Sequence, residues 1–168
     1  MTVRLAVFAA EHVAAFERMA DDEAVAAHTP FPHPLPAGFG VQWLARYDAA
    51  RAEGTREAFA IMDEDELVGI AVAPRIDAAA REVELGYVVA RGSRGRGVAT
   101  AALDLLTQWA FEERSAARAY LRINAGNEAS RRVAARCGYT YEGTLRSTWF
   151  KDDLRVDTEI WSRLPSDA

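Results

Sequence analysis

Within one ten-residue window, Arg91-Gly92-Ser93-Arg94-Gly95-Arg96-Gly97-Val98-Ala99-Thr100, three arginines and three glycines stand directly ahead of an apolar run with helical spacing. Closely spaced glycines let backbone N–H groups converge on one point and admit a ligand without Cβ interference. A helix N-terminus adds unpaired donors and partial positive charge. The stretch therefore reads as an anion cradle, and the guanidinium groups suit it to phosphate. Pyrophosphate is its natural guest. A P-loop would need G-x-x-x-x-G-K-[ST], and the chain has no Gly-Lys pair. A dinucleotide fingerprint would need G-x-G-x-x-G/A; Gly95 and Gly97 supply the first two positions but Thr100 occupies the third. No acidic residue ends a strand about 20 residues later, as that motif also requires.

Other residues with chemical capacity are sparse. In the run before the cradle, Glu82 to Val89, strand alternation puts Glu82, Glu84, Gly86 and Val88 on one face and Val83, Leu85, Tyr87 and Val89 on the other. A glycine inside a strand marks a bulge or the close approach of another chain. Asn127 and Ser130 lie three apart at the start of a helical run, where either could cap the helix. His12, His28 and His33 share no metal-ligand spacing, and the single Cys137 excludes an internal disulfide and a Cys-rich metal site. Cys137 reads as a packed thiol, and no metal is expected.

These groups need elements to hold them. Strands are expected near 2–8, 57–62, 67–73, 82–89, 119–123, 140–151 and 154–164, the last two turned by Asp152-Asp153. Helices are expected near 9–19, 39–52, 98–113 and 128–137. Val41, Leu44 and Tyr47 should form one buried stripe, and Val98, Ala102, Leu105 and Trp109 another. Segment 29–40, with four prolines, reads as irregular. The order of elements gives an α+β fold with a mixed sheet. A chain of 168 residues suits one domain, 1–168. A net charge of -5, from 20 basic and 25 acidic residues, gives no footprint for nucleic acid and favours cationic amines as partners. No signal peptide or spanning segment is read, so a cytoplasmic protein without membrane contact is expected, as monomer or homodimer.

Arg94-Gly95-Arg96-Gly97-Val98-Ala99 matches the [QR]-x-x-G-x-[GA] signature of the GNAT N-acetyltransferases. Asn127-x-x-Ser130, followed by Gly138-Tyr139-x-x-Glu142-Gly143, resembles the RimJ/RimL-like branch of that family, which modifies ribosomal-protein N-termini. Phe31-Pro32-His33-Pro34 and Trp43-Leu44 are also similar to that branch, so the resemblance covers nearly the whole chain and is most specific over 82–143. It implies a mostly antiparallel sheet of six or seven strands with about four helices. In that fold the central strand bulges and splays from its neighbour, and the pantetheine arm of acetyl-CoA enters the gap. By the resemblance, Tyr87, Val88 and Val89, the cradle residues Arg94, Gly95, Arg96, Gly97, Val98, Ala99 and Thr100, and Asn127 and Ser130 would hold the cofactor.

Acyl transfer from a thioester to an amine needs the ammonium deprotonated and the leaving thiolate protonated or stabilised. Glu84 is the leading candidate base, acting through water. Many family members place a tyrosine acid where this chain has Ala134; Ser130 is the replacement that RimL-like members suggest. Trp149 stands where those members carry a glutamate base, which leaves Asp157 as a second candidate base or a site for the acceptor's ammonium. His33, Trp149 and Asp157 are the candidate acceptor contacts. The expected reaction is acetylation of a protein or peptide N-terminus, with a small amine (amino acid, polyamine or aminoglycoside) as the alternative acceptor. A catalytically silent acyl-CoA-binding module is the alternative from another class. A nicotinamide-dependent oxidoreductase has little support.

Overall fold

A computed structural model describes residues 2–167. Among these residues seven strands form one sheet: β1 (Val3–Val7), β2 (Glu57–Asp63), β3 (Glu66–Asp77), β4 (Glu82–Val89), β5 (Arg118–Asn124), β6 (Thr140–Lys151) and β7 (Leu154–Arg163). Their spatial order is β1-β2-β3-β4-β5-β7-β6, antiparallel except for the parallel pair β4–β5. Five α-helices accompany them among the described residues: α1 (Val13–Ala20), α2 (Glu23–Ala26), α3 (Phe39–Ala52), α4 (Val98–Glu112) and α5 (Glu128–Arg136). The crossover between β4 and β5 runs through α4, which places the cradle at the C-terminal end of a central strand.

Strand alternation divides the core in two. Ala58, Ala60, Met62 and Ile70 pack with Phe16, Phe31, Trp43 and Tyr47 under α1 and α3. Phe59, Ile61, Val83, Leu85 and Val89 pack with Val98, Ala102, Leu103 and Leu106 under α4. Single-residue alternation on β2 and β4 thus feeds both layers.

The expected stripes need correction. Leu103, Leu106, Thr107 and Ala110 are the buried residues of α4 beside Val98 and Ala102, while Leu105 and Trp109 lie only partly inside. On α3, Val41 is 62% exposed and Trp43 and Tyr47 are buried. Val7 is 54% exposed, and the neighbouring Phe8 takes the buried place. The sequence reading missed α2, a single turn whose N-cap Asp22 accepts hydrogen bonds from the N–H groups of Ala24 and Val25. Strand β3 extends to Asp77, past Pro74, because its register with β4 shifts between Val72 and Arg75 and the bulge accommodates the residue that lacks an N–H. The bulge therefore lies in β3, the partner strand, and not in β4 as the family resemblance implies.

Gly69 on β3 has a steric requirement invisible in sequence. A Cβ there would lie 2.4 Å from the Val88 carbonyl oxygen and 3.0 Å from Ile61 Cδ1. Gly69→Ala must push β4 outward at Val88, and overpacking of this kind costs about 1–3 kcal/mol. A lower denaturation midpoint is expected from chemical unfolding, with wild-type stability overturning the packing argument.

Candidate active site

Strand β4 pairs with β5 only from Glu82↔Arg118 to Leu85↔Leu121. Beyond that point Gly86–Val89 stay bonded to Val72, Ala71, Ile70 and Gly69 of β3, while Arg122–Asn124 stay bonded to Ile160, Glu159 and Thr158 of β7. The two central strands diverge, leaving backbone donors and acceptors of β4 facing a wedge. Backbone polar groups need partners, so the wedge suits an extended, amide-bearing guest.

The cradle sits at the mouth of that wedge. A short 3-10 turn, Arg91–Ser93, leads to Gly95 (φ 75°) and Gly97 (φ 84°), both in the left-handed region. Gly97 is the N-cap of α4 and offers no side-chain cap. Among the described residues no protein acceptor meets the N–H groups of Gly95 through Thr100. A Cβ on Gly95 would meet nothing within 4 Å, so the concave side is open. Arg94 donates through Nε to the Val89 carbonyl (3.0 Å), tying the loop back to the strand end. Arg96 stands 3.5 Å from Asp63 and remains half exposed. Uncapped donors with flanking guanidinium groups fit a pyrophosphate, and the residues present fit the expected cofactor.

Glu84 lies where β4 is still paired on both sides, one turn of alternation before the wedge. Its cross-strand partners are Arg75 on β3 and Tyr120 on β5, and its carboxylate accepts a hydrogen bond from the Tyr120 hydroxyl at 3.3 Å. Burial pushes its carboxyl pKa up, against the opposing pull of the Arg122 charge, the Tyr120 hydroxyl and the Arg75 charge. Tyr47 of α3 is also within reach of the Glu84 charge, and burial pushes its phenol up to about 12.

On the opposite face the hydroxyls gather. The side-chain carbonyl of Asn127 accepts the Ser130 N–H at 3.2 Å, so Asn127 is the cap of α5 and the Ser130 hydroxyl is left for other partners. The Tyr87 hydroxyl is buried and lacks a well-formed hydrogen bond. Ser130 faces it from α5, and burial pushes the Tyr87 phenol up to about 12 despite that neighbour. Ala134, fully buried one turn further along α5, supplies no side chain that could donate.

Other expected site residues prove committed. His33 stands 3.2 Å from Asp21 on the proline-rich segment. Asp157 accepts the Ser147 N–H at 2.8 Å and so shapes the β6–β7 hairpin. Trp149, half-buried, pairs with Val156 at the second register shift of that hairpin. Cys137 is buried, donates weakly to the Thr100 carbonyl at 3.6 Å, and has its thiol pushed up to about 12 by burial, which disfavours the thiolate.

Three features escaped the sequence reading because each joins segments far apart in the chain. Arg131 forms a forked pair with the buried Glu159, which also accepts from Trp161, and this locks α5 onto β7. Tyr120 has only its register to reveal it. Lys151 donates to the carbonyls of Ala26 (2.5 Å), Thr29 (3.2 Å) and Phe31 (2.6 Å), pinning the β6–β7 hairpin to the segment after α2. The hairpin and the proline-rich segment are thereby closed into a frame beside the Glu84 face of the sheet.

The acetyltransferase (GNAT) domain profile matches residues 2–140. The chain belongs to the GNAT family. This GNAT chain is 29% identical over 111 residues to a ribosomal-protein-serine acetyltransferase of Escherichia coli, an overlap of 66% of this chain and 62% of that protein. It thus spans less than two thirds of the length of the curated relatives it matches. Among solved structures, RimL, a ribosomal alpha-N-protein acetyltransferase in complex with coenzyme A, superposes with a TM-score of 0.91 at 17% identity, over 99% of this chain and 96% of that one. A spermidine N-acetyltransferase of Vibrio cholerae in complex with coenzyme A and spermine gives 0.85 at 17% identity, over 98% and 96%. At such identities these likenesses establish the fold. Among the described residues no helix is long and apolar enough to cross a membrane, and no cluster of three metal-ligating side chains occurs.

Proposed function

We propose that the protein is an N-acetyltransferase that moves the acetyl group of acetyl-CoA to a primary amine, with a protein or peptide N-terminus as the acceptor. The observation that carries this reading is the divergence of β4 from β5 after Leu85/Leu121, with the uncapped start of α4 at its mouth. An extended pantetheine arm fits the wedge and its pyrophosphate fits the cradle. Acetyl-CoA supplies the activated acyl group as a thioester.

The chain's residues divide the remaining work between the two faces of the sheet. Glu84 takes the ammonium proton, directly or through one water, and a base needs a pKa nearer neutrality than a free carboxylate has. Burial provides that shift. As the nitrogen–carbon bond forms and the carbon–sulfur bond breaks, the Ser130 hydroxyl relays to the sulfur the second proton that the nitrogen sheds, so coenzyme A leaves as the thiol and the hydroxyl is restored. Tyr87 orients the Ser130 hydroxyl, which compensates for the missing side chain at Ala134. Backbone N–H groups of Gly86–Val89 polarise the acyl carbonyl. Nothing here needs a covalent enzyme intermediate or a metal.

The test is release of free thiol from acetyl-CoA across N-terminal peptides, free amino acids, polyamines and aminoglycosides. Turnover with peptides supports the reading. Turnover confined to small amines replaces the acceptor, and coenzyme A binding without any turnover favours the silent acyl-CoA-binding module. In the same assay Ser130→Ala and Tyr87→Phe should each lower kcat by about 10- to 100-fold, and the double variant by little more than the worse single one, because the two hydroxyls act as a unit. Tyr87→Phe removes a buried oxygen whose contact with Ser130 falls short of a well-formed hydrogen bond, so its thermal stability should hold. Wild-type turnover in Tyr87→Phe would remove its role.

A further inference from the structure

The molecule carries a net charge of -5, yet Glu84 is bracketed by guanidinium groups. Arg75 is its direct partner across β3, and Arg122 follows Tyr120 by two residues on β5, hence on the same face. On the helical side, Arg46 and Arg56 act on Tyr47, the phenol that also senses Glu84.

The nearby carboxylates have partners of their own. Asp48 and Glu57 are both engaged by Arg51. Glu82 and Glu142 face Arg118, with Glu142 also accepting from Ser162. Asp77 stands 3.5 Å from Arg75 and satisfies only that cation, while Asp157 is spent on the Ser147 N–H. Among the described residues the guanidinium groups of Arg46, Arg56 and Arg122 make no ion pair or hydrogen bond. The Glu84 carboxylate thus stands between two arginines, of which Arg122 is unpaired.

From this juxtaposition we infer that the acceptor is an amine carrying a carboxylate close to the reacting nitrogen, namely a peptide N-terminus with Asp or Glu at its second or third residue. The inference rests on the acetyltransferase reading and specifies its acceptor. Glu84 would meet the amine while Arg122 and Arg75 hold the acid. Arg122 lies two residues along and one strand across from the Glu84 position, roughly 7 Å by 5 Å. An extended peptide advances about 3.3–3.6 Å per residue, which brings its second or third side chain to that distance. A polyamine, by contrast, would place further positive charge against the same arginines.

The experiment compares hexapeptides with N-terminal Ser that differ only at the second and third residues, Asp-Glu, Ala-Ala or Lys-Lys, together with spermidine. Wild-type kcat/KM should be at least about tenfold higher for the acidic peptide than for the lysine one, and the gap should narrow with added salt. In Arg75→Gln/Arg122→Gln the gap, taken as the ratio between peptides within that variant so that any change in the Glu84 base cancels, should shrink below about twofold, while the thermal shift with coenzyme A is retained. Preference for Lys-Lys or spermidine, or an undiminished gap in the double variant, overturns the assignment and leaves the acetyltransferase reading standing. Turnover of none of these acceptors overturns both.

Discussion

Gly97→Val is expected to abolish the thermal stabilisation that coenzyme A gives the wild-type protein. Gly97 has φ 84° at the N-cap of α4, a conformation that a β-branched residue adopts only with strain. The substitution has two effects: it twists the first turn of α4 so that its free N–H groups no longer converge, and it sets two methyl groups at the lip of the cradle. The wild type, with ligand at 100 times its dissociation constant, should gain about 2.7 kcal/mol, or roughly 5–10 °C in Tm for a domain of this size. Gly97 is exposed, so the variant should still fold, which circular dichroism would check. An unchanged shift in a folded variant would eliminate the cradle.

Glu84→Gln should lower kcat by about 100- to 10,000-fold at neutral pH, the range that a positioned general base supplies. The pH dependence carries the diagnosis. Burial raises the Glu84 pKa, so the wild-type base is lost as pH falls through that raised value. The variant's deficit should then be greatest between the pKa of Glu84 and that of the acceptor amine, and should vanish below the first. Affinity for coenzyme A should be unaffected, because Glu84 lies before the wedge opens. Stability should move the other way. A carboxyl whose folded pKa is raised favours folding below the ordinary glutamate range, and that contribution is lost as pH rises through the folded value. Glu84→Gln removes the penalty, so Tm at neutral pH should hold or increase. A flat pH profile with full turnover would shift the base to Asp157 or to water alone.

How much of this was legible beforehand depends on the range over which each feature is set. The cradle is local: glycine freedom and the start of a helix follow from adjacent residues, and the range 82–89 for β4 coincides with the observed strand. The same holds for the cap at Asn127, although sequence left Asn127 and Ser130 as rivals until the hydrogen bond to the Ser130 N–H separated them. Helix faces were less legible. On α4 the buried side turned out to carry Leu103 and Leu106, because the helix packs on β1, β3, β4 and β5 together and the burial arc depends on all of them.

The sequence alone determined the order of the strands and of the four longer helices, the glycine-rich loop ahead of α4 and the candidate base, since these depend on residue type, alternation and turn chemistry within a few positions. Only the tertiary structure decided what surrounds that base. Arg75, Tyr120 and Arg122 reach Glu84 through strand register, and Lys151 reaches Ala26 across 125 positions of chain. Register and loop closure are collective properties of the sheet, set by the core on both its faces, so no local pattern announces which distant side chains they bring together.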